Sequence, residues 1–215
     1  MKRIVQAVTL ASLLFLASLA AAQYEAEPYI EGFVGGNYSL PTGFIKNDMT
    51  PNSLNATNGF GLELGGGYFV KPQIVAGLYF NARNMKTDGA GLNHRIFEFD
   101  LFGKYLFFDL AAKKFSPYVK LNAGLAFNKL ATKVSDHGLP VLRELAYKPS
   151  LGTEAGIGLH YRTNNYGGLY VEAAYHFDFM QGVKGKFQSV NYTWDENNKY
   201  ILLKAGVLFN IGRKE

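Results

Sequence analysis

The chain has 215 residues, 48% of them hydrophobic, 18% charged and 15% aromatic, with a formal net charge of +5. That length suits one domain or two small ones, and an apolar, aromatic-rich composition with so small a net charge excludes a disordered chain. The absence of cysteine excludes disulfide frameworks, thiolate metal sites, iron–sulfur clusters and thiol nucleophiles.

Residues 1–22 read as a targeting segment. Lys2 and Arg3 precede an apolar run from Val8 to Leu19, and Ala20-Ala21-Ala22 supplies a small-residue cleavage site before Gln23. A signal peptide over 1–22 and a single domain over 23–215 are therefore expected. No later apolar run is long enough for a membrane-crossing helix. The apolar residues alternate instead with period two, which puts every second side chain on one face of a strand. The alternation predicts eight strands, near 29–39, 58–70, 73–84, 95–108, 116–129, 148–161, 168–180 and 199–211. Phe60, Leu62, Leu64, Tyr68 and Val70 share a face in the second strand, and Ile201, Leu203, Ala205, Val207 and Phe209 share one in the last. Every charge inside the alternating cores of these spans, 30–38, 58–70, 74–82, 97–107, 117–127, 151–159, 169–179 and 201–209, falls on the opposite face.

The connections alternate as well. Short ones lie around 71–73, 109–114 and 163–167, and long ones over 40–57, 84–94, 130–148 and 181–198. An even strand number, short turns at one end and long loops at the other fit an all-β, eight-stranded antiparallel up-and-down transmembrane β-barrel with periplasmic turns and extracellular loops. Charge on every second residue rules out a helical crossing. A closed barrel satisfies each backbone group through its neighbours and has no edge.

Eight strands enclose only enough space for side chains. The expected lumen charge network is Glu31, Glu63, Arg83, Glu98, Asp100, Lys104, Lys120, Glu154, Glu172 and Lys204. Lys204 is expected between Glu172 and Glu31, and Arg83 beside Glu98. Aromatic girdles are expected at both rims. Tyr68, Tyr105, Phe107, Phe108, Phe115, Tyr118, Tyr161 and Tyr170 would form the one at the short turns, and Tyr38, Phe80, Phe97, Phe127 and Phe179 the one at the loops.

The pattern, the run Ser116-Pro117-Tyr118-Val119-Lys120-Leu121-Asn122-Ala123-Gly124 and the amphipathic last strand resemble the small eight-stranded outer-membrane β-barrel family of opacity-type and OmpX-like proteins. The resemblance spans nearly all of 28–211. It implies integral outer-membrane localisation, contact with outer-membrane lipid and lipopolysaccharide, and insertion by the barrel assembly machinery. It also implies a monomer, and a surface ligand held by the loops. The family's terminal aromatic is here Phe209, with six residues after it.

Catalytic chemistry finds no motif. His94, His137, His160 and His176 make no recognised metal spacing, and no histidine has a serine two residues on, the hallmark of the lipid A deacylase barrels. Without a nucleophile an acyl transfer lacks its first step. His176 and Asp178 are read as lumen members. Gly35-Gly36 and Gly65-Gly66-Gly67 are not phosphate loops, since no helix follows. No catalytic residue, metal or cofactor is expected, and scattered cations give no nucleic-acid stripe. Lys129, Lys133, Arg143, Lys148, Lys184 and Lys186 could contact lipopolysaccharide phosphates. The expected function is a non-enzymatic structural or adhesive barrel. The alternatives are a lipid A-modifying enzyme and a narrow small-solute channel.

Overall fold

The structure is a computed structural model and describes residues 30–42, 56–87, 92–110, 113–136, 139–187, 190–194 and 197–211. The signal-peptide reading, with its cleavage site, lies outside them. The described strands are β1 (Ile30–Thr42), β2 (Ala56–Lys71), β3 (Ile74–Thr87), β4 (Leu92–Leu106), β5 (Phe115–Asp136), β6 (Leu139–Tyr147), β7 (Ser150–Arg162), β8 (Gly167–Phe179), β9 (Lys184–Phe187), β10 (Val190–Thr193) and β11 (Asn198–Ile211).

Eight of these form a closed antiparallel ring: β1, β2, β3, β4, β5, β7, β8, β11 and back to β1. The first and last strands close it, with Ile30 opposite Ile211 and Thr42 opposite Lys199. Each ring strand therefore has a partner on both sides, which is what a backbone in hydrocarbon requires.

Two stretches expected as loops are strands. Residues 130–148 extend β5 to Asp136 and return as β6, with Val134 opposite Val141. Residues 181–198 contain the β9–β10 hairpin, which joins β6 through Ala146–Lys186 and Tyr147–Gly185. The physical reason lies in the backbone. Its N–H and C=O groups need partners even above the membrane, and β5 offers a flank beyond Ala126 that β7, which starts at Ser150, does not cover. Pro149, which has no N–H to donate, separates β6 from β7. The wall thus continues past the ring at the loop end.

Burial is inverted relative to a water-soluble protein. Phe60, Leu62 and Ile157 are 73%, 70% and 67% exposed, and large apolar side chains are exposed on all eight ring strands. Glu31, Glu63, Asn81, Arg83, Glu98, Asp178 and Lys204 are buried. An apolar outer face of this extent is a membrane contact. Inward glycines make room for rings: a Cβ at Gly65 would collide with the Phe33 ring, and one at Gly158 with Tyr118.

Candidate functional site: a filled, charged lumen

All ten lumen charges named from the alternation are buried inside the ring, and all but Asp100 are joined by ion pairs that cross between strands. Near the short turns Lys104 pairs with Glu31, and His160 Nδ1 lies 3.5 Å from Glu31 Oε2. In the middle Lys204 pairs with Glu154 and stands 3.1 Å from Glu172 and 3.5 Å from Glu63. Lys120 reaches Glu172 at 2.9 Å and Glu154 at 4.0 Å. Both lysine ammonium groups sit 4.8 Å from the Tyr79 ring centroid. Tyr79 and Tyr170 donate to Glu63, the former at 2.7 Å, and Tyr118 donates to Glu172 at 2.9 Å. Toward the loops Arg83 pairs with Glu98, which also accepts from Asn81 at 3.1 Å.

Three details differ from the alternation-based expectations. Lys204 faces Glu172 on β8 and Asn37 on β1, while Glu31 faces Asn210. Strand tilt staggers a closed barrel, so residues level in sequence are not level in space. Tyr118 and Tyr170 do not belong to a girdle. They share the inward parity of Lys120 and Glu172 and are buried. Third, Glu98, His176 and Asp178 come within 4.8 Å of one another and form a set that could hold a metal ion. No sequence spacing could show this, because Glu98 lies on β4 and the other two lie on β8, with two strands between them around the ring.

Apolar layers close both ends of this network. Phe33, Phe69, Val75, Phe102, Leu106, Leu110 and Leu208 pack toward the short turns, leaving a cavity of about 20 Å³ beside Lys104, Lys120 and Glu172, room for about one water. Met85, Ile96, Leu130, Met180, Trp194, Tyr200 and Leu202 pack toward the loops. There Trp194, the only tryptophan, stacks on His94 at 5.6 Å and meets Tyr147 edge-on at 4.9 Å. Gly182, at φ 77°, makes the turn after β8 and donates to Trp194 O at 2.8 Å. Only glycine adopts such a backbone without strain.

No family model and no curated protein matches the sequence. Solved structures do. The chain is similar to the outer membrane protein OprG from Pseudomonas aeruginosa, at 13% identity over 89% of this chain and 99% of that one, with a TM-score of 0.52. It is similar to the outer membrane protein AlkL in lipid bilayers, at 14% identity over 89% and 93% with a TM-score of 0.51. Neisserial surface protein A matches at 15% identity over 86% and 97% with a TM-score of 0.50. The chain has the fold of the small eight-stranded outer-membrane β-barrels.

Within this barrel the described histidines, His94, His160 and His176, all point inward and are buried; His137 lies outside the described residues. Ser116 faces His160 across the β5–β7 pairing, and Glu31 lies beside His160, so nucleophile, base and acid types meet on three strands. The Ser116 hydroxyl instead donates to Pro117 O at 3.0 Å and accepts from Phe108 N–H at 2.9 Å. It pins the turn after β4. Of the loop cations, Lys148 and Lys184 are exposed and Lys129 is half-buried. The side chains of Lys133, Arg143 and Lys186 lie outside the described residues. Lys148 N–H donates to Lys184 O at 2.9 Å, which sets these two lysines side by side at the loop end.

Proposed function

We propose that this chain is a non-enzymatic integral outer-membrane β-barrel that supports the envelope and presents its loops to the cell surface. The observation that carries the reading is the inverted burial, an apolar outer face around a lumen filled by paired charges. An outward face of this kind needs lipid, and the strand-based crossing belongs to outer membranes. The buried, paired lumen favours this reading over a small-solute channel, and the inward histidines favour it over a lipid A deacylase, whose reactive groups must meet the acyl chains. Cell fractionation with a heat-modifiable gel shift, together with lipid A mass spectra from cells with and without the protein, tests it. A compact unboiled band in the outer-membrane fraction and unchanged spectra are expected. A lost acyl chain in the spectra would make the protein an enzyme.

The adjacency of Lys148 and Lys184 supports lipopolysaccharide as a surface contact, since paired ammonium groups match clustered phosphates. The double variant Lys148→Ala/Lys184→Ala is expected to weaken co-purification of lipopolysaccharide with the folded barrel. Unchanged co-purification would remove these two residues from the contact.

A further inference from the structure

One lumen row runs Asp100–Gly124–Gly152–Asp178 across four neighbouring strands, β4, β5, β7 and β8. The two central positions have no side chain, and the two aspartates lean over them. A Cβ at Gly124 would collide with Asp100 Oδ1, and one at Gly152 would stand 3.2 Å from Asp178 Oδ1 and 3.4 Å from His176 Cε1. Directly paired positions are about 5 Å apart, so both carboxylates converge over one glycine shelf. Across the lumen Glu98 Oε1 lies 2.9 Å from His176 Nε2, which is 2.8 Å from Asp178 Oδ1.

We propose that this shelf holds one divalent first-row transition-metal ion, liganded by Glu98, His176 and Asp178 with Asp100 beside them. Two independent observations lead there. Asp100 is 2% exposed, and among the described residues both its oxygens lack a hydrogen-bond partner, as does Asp178 Oδ2. A buried carboxylate with open oxygens offers free lone pairs to a cation. The donor spacing fits as well. Adjacent ligands of a six-coordinate ion at about 2.1 Å stand about 3 Å apart. One imidazole among carboxylates suits zinc or manganese over the hard alkaline-earth ions.

The test uses the full chain refolded in detergent with ZnCl₂ or MnCl₂, desalted and analysed for bound metal. One ion per folded barrel is expected. Asp178→Asn and His176→Gln, scored only on the fraction keeping the compact unboiled band, should each weaken binding by about tenfold or more. Wild-type barrel that retains neither metal would overturn the proposal, as would variants that bind like wild type. Should both variants fail to fold, pulsed EPR of the Mn²⁺-loaded wild type decides. Coupling to one imidazole nitrogen supports the site, and its absence refutes it.

Discussion

Lys204 is the hub of the lumen, and its removal is the sharpest perturbation of the network. Lys204→Met keeps most of the stem volume and removes the ammonium group that serves Glu154, Glu172 and Glu63. Deleting one partner of a buried ion pair costs about 3–5 kcal/mol, because the other charge is left without compensation. Here each carboxylate keeps something. Glu172 retains Lys120 at 2.9 Å, Glu154 retains Asn122 at 3.0 Å, His176 Nδ1 at 3.7 Å and a distant Lys120, and Glu63 retains two tyrosine hydroxyls. The expected loss is therefore at the low end, about 3 kcal/mol. With a urea slope near 2 kcal/mol/M the unfolding midpoint in lipid vesicles should fall by about 1.5 M. Trp194 fluorescence reports the transition. Adding Glu154→Gln should restore part of the loss, because it removes the carboxylate that stands nearest the lost ammonium group. A loss below about 1 kcal/mol, or a double variant as unstable as the sum of the singles, would refute the reasoning.

Further outcomes follow from the two faces and the two caps. Leu62→Arg, on the exposed face of β2, should destabilise the folded barrel in vesicles by about 2–4 kcal/mol if Leu62 lies near the bilayer midplane, measured by the same urea titration. Gly65→Val places a branched side chain against the Phe33 ring and should cost about 1–3 kcal/mol, seen as a lower midpoint or a weakened compact band. Trp194→Ala empties the loop-end cap. Hydrogen exchange should then accelerate at Val183 and nearby amides while β1 and β11 near the short turns keep their protection, and uniform loosening of all strands would contradict a separate cap.

Much of the architecture was legible because period-two alternation depends only on neighbouring residues. Glu98, Asp100 and Lys104 on β4 betray their face without reference to any other strand. The lumen contents follow from the same parity, as does the placement of Glu154 and Glu172. What stayed hidden depends on register. Whether Lys204 meets Glu31 or Asn37 is set by the stagger of closure, which no single strand encodes. The Asp100–Gly124–Gly152–Asp178 row is invisible for that reason, although each of its residues was individually assigned to a strand. Tyr118 and Tyr170 were misplaced for a different one. Aromatics near strand ends suggest an interfacial belt, but here parity turns them inward, where Glu172 and Glu63 accept their hydroxyls. The strands above the ring were missed because β5 continues beyond the length a membrane crossing requires.

The central claim is that every second residue of each ring strand faces lipid and the others face a filled lumen. The chain has no cysteine, so single cysteines placed one at a time from 201 to 209 on β11 can each carry a spin label in lipid vesicles. Collision rates with oxygen, which partitions into lipid, and with a water-soluble nickel complex then report the face of each site. The account predicts high oxygen contact at 201, 203, 205, 207 and 209, and little contact with either probe at 202, 204, 206 and 208. Strong nickel contact at the even positions would mean an open water-filled bore, and loss of the alternation would mean that β11 does not close a barrel.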